Sequence, residues 1–170
     1  MTADPDRTDT FELQDQFARF AAHSLEDEPL YRAICELVAR HAGWAALLGA
    51  APPTQRWARL WLAALQDRVL AQVEAGERPP LADYFPGAGG TRPPDAALER
   101  HLGAFIDDQR DAMRASIATR NTQTNEIGRC AVLWPVLQSL VEATGNARVA
   151  LLDVGCSAGL NLGVDRWRYR

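Results

Sequence analysis

The sequence predicts a mainly α-helical chain, with an amino-terminal helical bundle over residues 10–144 that leads into the first strand-loop-helix unit of an α/β domain at 145–170. Apolar residues recur at intervals of three and four through most of the bundle, which is the period of a helix with one buried face. Residues 147–154 instead form a short, nearly continuous apolar run, which is typical of a strand buried on both faces of a parallel sheet. Residues 1–9 are predicted to be an acidic, disordered lead-in.

The composition is that of a globular protein, since 47% of the 170 residues are hydrophobic and 24% are charged. All 18 basic residues are arginine, the formal net charge is −4, and solvated helix faces explain the arginines better than nucleic-acid binding does. The three cysteines are far apart and fit neither a zinc site nor a disulfide framework, so we expect a reduced, cytoplasmic setting. The longest apolar stretch, residues 42–51, is too short for a membrane span.

Three helices are predicted in the first half of the chain. Two amphipathic helices cover residues 11–21 and 30–38, with a break at 24–29 between them. The third opens at the proline pair 52–53 and ends at Gly76.

Trp57 and Trp61 lie one turn apart in that third helix. Such a pair can line a cofactor pocket, but aromatic residues at helical spacing pack in the core more often. We therefore predict core packing for both.

The second half of the bundle begins with a loop at residues 77–94, where prolines and glycines cluster and where a mobile lid is one possible use. Asp95 is predicted to cap the next helix. A last helix is predicted from about Thr124 or Asn125 to about Ala143, with a kink at Pro135.

The residues that bear on function follow the predicted strand, where a glycine-rich turn at 155–159 leads into a helix from Leu160. A dinucleotide-binding fingerprint would need glycine at three positions, which Gly155, Ser157 and Leu160 occupy, so two of the three fail. A hydrolase nucleophile elbow, G-x-S-x-G, matches literally. That fold, however, places its histidine after the serine, and all histidines here lie upstream: His23, His41 and His101.

The turn also resembles the first motif of class I S-adenosylmethionine-dependent methyltransferases, with Asp153 at the strand end followed by Gly155 and Gly159. The loop backbone must pass close to the cofactor, so its side chains have to be small. Asp153 would lie near the charged methionine end of S-adenosylmethionine, and Cys156 and Ser157 complete the predicted cofactor loop. Ser157 stands where such loops often carry a glycine.

Two linked motifs resemble an uncharacterised bacterial family, the domain of unknown function 2332. They are residues 123–131 (Gln-Thr-Asn-Glu-Ile-Gly-Arg-Cys-Ala) and, about twenty residues later, 151–162, which are followed by Asp-Arg-Trp-Arg-Tyr at 165–169. The resemblance implies a helical part before a methyltransferase-like Rossmann domain, in chains about twice as long. It implies no established activity.

Asn125, Glu126 and Arg129 of the first motif have two interpretations. In the structural interpretation, Thr124 or Asn125 caps a helix and Glu126 complements the dipole of its first turn. The three residues can also project toward the turn at 155–159, where Arg129 would pair with a carboxylate of the cofactor and Glu126 with an amine or a ribose hydroxyl.

The 22 residues from Val149 onward are fewer than the roughly 30 that a βαβ unit needs. We therefore expect the amino-terminal portion of a longer methyltransferase-like protein with an unknown small-molecule or macromolecular acceptor. The ribose-binding acid would lie beyond residue 170, so these residues alone are not expected to bind S-adenosylmethionine. A non-catalytic helical interaction or regulatory module and a serine hydrolase acting through Ser157 remain alternatives.

Overall fold

The computed structural model describes residues 5–122, 126–146 and 148–169, with side chains from residue 10 onward. Within these ranges the α-helices are α1 (Pro5–Ser24), α2 (Pro29–Arg40), α3 (Ala42–Ala45), α4 (Ala58–Glu74), α5 (Leu98–Thr119) and α6 (Cys130–Thr144). The chain forms two compact units, Met1–Thr122 and Gln123–Arg170, so α6, which the sequence assigns to the helical domain, belongs to the second unit.

The first unit is a helical bundle, as the apolar periodicity predicts. α1 packs against α2, and α4 packs against α5. Phe17 of α1 and Trp61 of α4 meet edge to face with their ring centroids 5.7 Å apart, and both are fully buried. Ile34 and Ile106 bring α2 and α5 into the same core. Burial of these side chains is the main stabilising term, at roughly 1.5–3 kcal/mol for each large apolar residue.

The start of α4 differs from the prediction, because the proline pair forms a separate 3₁₀ turn at Pro53–Gln55. The Arg56 guanidinium donates to the carbonyl oxygens of Ala51 and Gly49, at 3.1 and 3.2 Å, and fixes this turn. The helix therefore begins only at Ala58. Its predicted end is confirmed, since Gly76 follows the last turn with φ of 84°.

The prediction of core packing holds for Trp61 and is wrong for Trp57. Trp61 is fully buried, and its Nε1 donates to the Trp44 carbonyl at 3.0 Å. Trp57 is 52% exposed, because it is the residue before the first turn of α4 and its Nε1 donates to the carbonyl of Thr54 at 3.0 Å.

The predicted loop at 77–94 contains two 3₁₀ turns, Pro80–Tyr84 and Pro86–Ala88. Leu81, Tyr84 and Phe85 are buried in the core of the first unit. The Tyr84 hydroxyl donates to Asp95 Oδ1 at 2.8 Å, which ties the segment to the start of α5. These residues are thus a packed part of the bundle and do not form a free lid.

The second unit begins, in its described part, with a 3₁₀ turn at Ile127–Arg129 that leads into α6. Helix α6 starts later than predicted, and Thr124 and Asn125 lie outside the described residues. Pro135 is inside the helix, and Gly145 ends it with φ of 65°.

The strand predicted at 147–154 is not observed over residues 148–154, and Ala147 lies outside the described residues. A strand needs a neighbour that accepts its backbone hydrogen bonds. No backbone hydrogen bond joins 148–153 to any other described segment. The helix predicted from Leu160 is a single 3₁₀ turn, Leu160–Gly163, so the described residues do not contain the expected strand-loop-helix unit.

None of the helices in the described ranges is long and apolar enough to cross a membrane.

Candidate functional site

The turn at 155–159 is defined by its backbone. Gly155, Ser157 and Gly159 have φ of 76°, 51° and 71°, and Ser157 is the only non-glycine residue with positive φ in the described part of the chain. The Gly159 N–H donates to the Cys156 carbonyl at 2.7 Å. The sequence therefore forms the predicted turn without an adjoining strand.

Positive and ordinary φ values alternate along this turn, and this pattern affects how accessible its backbone is. Positive φ is found at 155, 157 and 159 and not at 156 and 158. Positive φ favours glycine and other small residues, so side chains shield the backbone of this turn little.

Asp153 lies just before the turn, and one oxygen of its carboxylate has no hydrogen-bond partner among the described residues. The residue is half-buried, and its Oδ2 is shielded from solvent without a hydrogen-bond partner among the described residues. Its neighbours Leu152 and Val154 are 85% and 86% exposed. Shielding a carboxylate oxygen from water without a hydrogen-bond donor lowers the free energy of unfolding, and a bound ammonium or hydroxyl group would supply that donor.

A buried contact joins the two sequence motifs. Cys130, at the start of α6, directs its Sγ at Asn161 Oδ1 at 3.5 Å, and both residues are buried. Asn161 lies in the 3₁₀ turn that follows Gly159, and this turn contacts Ile127–Arg129. Neither residue carries a sequence signal for this contact, although each lies inside one of the two motifs.

Glu126 and Arg129 have different environments. Glu126 Oε1 accepts a hydrogen bond from the Gly128 N–H at 3.0 Å, so this carboxylate caps the turn Ile127–Arg129, a role that the sequence assigned to Thr124 or Asn125. The Arg129 side chain is exposed and makes no hydrogen bond or ion pair with the described residues. Asn125 lies outside them.

An apolar cleft of about 700 Å³ opens between α6 and the segments on either side of the turn. Most of its lining is apolar: Trp134, Leu137, Val141, Val149, Leu151, Leu162 and Val164. Trp134 also stacks parallel to Tyr169, with 6.1 Å between ring centroids. The cleft has the size and polarity of a small-molecule site.

The described residues contain no group of three or more histidine, cysteine, aspartate and glutamate side chains placed to hold a metal ion.

Comparison with known families matches residues 14–170 to a family described as "Uncharacterized protein conserved in bacteria (DUF2332)". The chain belongs to this family. The matched residues of the DUF2332 chain include both motifs, and therefore both Cys130 and Asn161. Neither the curated proteins nor the solved structures include a significant match to it.

Proposed function

We propose that this DUF2332 chain supplies the cofactor loop of an S-adenosylmethionine-dependent methyltransferase. The observation that carries the proposal is the turn at 155–159, where three positive φ values follow an aspartate with an unpartnered oxygen. A loop of this shape leaves its backbone open to close approach, which a cofactor with several polar groups requires.

The residues present fit the charged end of S-adenosylmethionine, whose amino-acid part has an ammonium and a carboxylate. Asp153 Oδ2 lacks a donor, and the ammonium would provide one. The backbone N–H groups of the turn would receive the carboxylate. Cys156 adds a small side chain that leaves the backbone accessible. When bound, the cofactor supplies an electrophilic methyl group.

Methyl transfer depends chiefly on alignment of the acceptor with the methyl group and on exclusion of water. The chain therefore need not provide a catalytic base near the turn. Arg129 has a free guanidinium that would pair with a carboxylate of the cofactor or the acceptor. The proposed acceptor is a small molecule or a macromolecule.

The test is calorimetric titration of S-adenosylhomocysteine, the demethylated product, into this chain and into longer members of the family. Longer members should bind it with micromolar affinity, whereas this chain alone should not. In a longer member, Ala at the position of Asp153 should weaken binding about tenfold or more, because a charge-assisted hydrogen bond is lost. The same change at the position of Asp111, an exposed aspartate of α5 far from the turn in sequence, is the matched control. Absence of binding by the longer members would overturn the proposal and favour a non-catalytic interaction module.

A serine hydrolase is the second candidate, and the φ of 51° at Ser157 favours it. A nucleophile elbow holds its serine in a strained turn. Ser157→Gly separates the two functions, because it removes the nucleophile and places glycine where methyltransferase loops often have it. A methyltransferase would keep cofactor binding in this variant. A hydrolase would lose its labelling by a fluorophosphonate probe.

A further inference from the structure

A second cavity, here named the Trp57 pocket, lies in the first unit between the carboxyl-terminal half of α1 and the first turn of α4. Its volume is about 380 Å³. Its lining includes Gln16, Arg19, His23, Trp57 and Arg59. This volume is near the lower limit for small-molecule sites, so the pocket suits a small ligand.

The pocket presents an open aromatic ring that is held in place. Trp57 is 52% exposed, which is unusual for a tryptophan in a chain with an ample core. Its Nε1 donates to the Thr54 carbonyl at 3.0 Å, so the ring keeps its orientation while its surface remains available. A planar ring of a ligand could stack on it at little entropic cost.

The charged groups of the pocket are all basic. Arg59 and His23 make no hydrogen bond or ion pair with other described side chains, whereas Arg19 pairs with Asp15 on its own helix. No lining residue is acidic. Arg59 and His23 therefore provide positive or hydrogen-donating groups with no acidic lining residue beside them, which is the environment that an anion prefers.

Gln16, one of the lining residues, has an unsatisfied polar atom. Its Nε2 donates to the Arg56 carbonyl at 2.7 Å, and this bond fixes which end of the amide is the nitrogen. The remaining Oε1 is buried and has no partner in the described part of the chain. A buried acceptor of this kind needs a donor, which a ligand N–H or a water held by a ligand supplies.

We infer that the Trp57 pocket binds a small aromatic anion. Its planar ring stacks on Trp57, and its carboxylate or phosphate lies between Arg59 and His23. This site lies entirely within the first unit and does not depend on the turn at 155–159, so its test is independent of methyltransferase activity.

Titration of the full 170-residue chain tests the inference, with the Trp57 indole N–H resonance and calorimetry as readouts. Indole-3-acetate represents an aromatic carboxylate and adenosine monophosphate an aromatic phosphate. At least one should shift the Trp57 resonance and bind about tenfold more tightly than both inorganic phosphate and neutral indole. Arg59→Ala and Trp57→Ala should each weaken binding about five- to tenfold and leave the circular dichroism spectrum unchanged, because both side chains are exposed.

Arg114→Ala is the matched control, since Arg114 is an exposed arginine on α5 with no ion pair among the described residues. It should leave binding unchanged. Three results would each overturn the inference: no shift of the Trp57 resonance at about 1 mM of either aromatic anion, unaltered binding in Arg59→Ala, or equal affinity for inorganic phosphate or neutral indole.

Discussion

Gly90 shows how strongly one residue of the proline-rich segment is constrained. A Cβ added there would collide with the backbone carbonyl oxygens of Ala82 and Asp83, which cannot move away without breaking the 3₁₀ turn. We expect Gly90→Ala to lower the free energy of unfolding by about 1–3 kcal/mol. Urea unfolding followed by circular dichroism measures it.

Gly43 provides the matched control for that substitution. A Cβ at Gly43 meets nothing within 4 Å, and the residue is exposed in α3. Gly43→Ala should raise the free energy of unfolding by about 0.5–1 kcal/mol, because alanine loses less backbone entropy in a helix. Equal effects of the two substitutions would show that the proline-rich segment is not packed as described.

Asp95 makes the stability of the first unit depend on pH in a defined direction. Hydrogen bonds from Tyr84 and then from Arg92 lower the pKa of Asp95 from 3.8 to about 2. Because the folded pKa is depressed, the ionised carboxylate stabilises the fold above pH 4, and this contribution is lost as the pH falls toward 2.

Asp95→Asn should therefore be less stable than the natural chain at pH 7, and the difference should shrink between pH 4 and pH 2. Urea midpoints at several pH values measure it. Asp111→Asn on α5 is the control, since Asp111 has no hydrogen bond or ion pair with the described side chains. A difference that stayed constant down to pH 2 would contradict the role of the carboxylate.

Individual residues were predictable only where their neighbours in sequence determine their environment. The spacing of Trp57 and Trp61 is identical to that of a buried pair, yet only Trp61 is in the core. The difference arises because the proline turn delays the start of α4, and periodicity alone does not locate a helix start. The unpartnered oxygens of Asp153 and Gln16 depend on distant contacts and leave no sequence signal.

At the scale of elements, the helices were predictable because the hydrogen bonds of a helix are local and its apolar stripe repeats every three to four residues. The run at 148–154 has the composition of a buried strand, but strand formation depends on a partner elsewhere in the chain. The turn at 155–159 needs no such partner, and its glycines predicted it from the sequence. For the candidate site, the sequence thus predicted the turn correctly and the preceding strand wrongly.

The contact between the two motifs is an element-scale feature that can be tested through Asn161. Its side chain meets Cys130 in a buried position, so Asn161→Ala should leave the Cys130 thiol underpacked and loosen Leu160–Gly163 against Ile127–Arg129. We expect a loss of about 1 kcal/mol in the local opening free energy. Amide hydrogen exchange at residues 160–164 measures this.

Asn146→Ala is the matched control, because Asn146 is exposed after the end of α6. It should leave exchange at 160–164 unchanged. Equal exchange in the two variants would show that the Cys130–Asn161 contact does not hold the segments together.

The whole molecule has an uneven distribution of buried apolar surface. The hydrophobic core runs from Leu13 to Ile117, whereas the described part of the second unit buries only Cys130, Asn161 and Val164. Large apolar side chains such as Val132, Leu152 and Val154 are instead exposed there. A chain of fewer than about 50 residues with so little burial is not expected to be stable by itself.

Residues 1–122 expressed alone should consequently keep a cooperative thermal transition within about 5 °C of the full chain, since they retain the whole of that core. The same deletion should remove most of the binding of the uncharged dye Nile red, because such dyes bind exposed apolar surface and most of the exposed large apolar side chains among the described residues lie at 127–169. Melting of residues 1–122 far below the full chain would show that the second unit stabilises the first. Undiminished dye binding would place the exposed apolar surface in the first unit instead, which the burial of its core residues argues against.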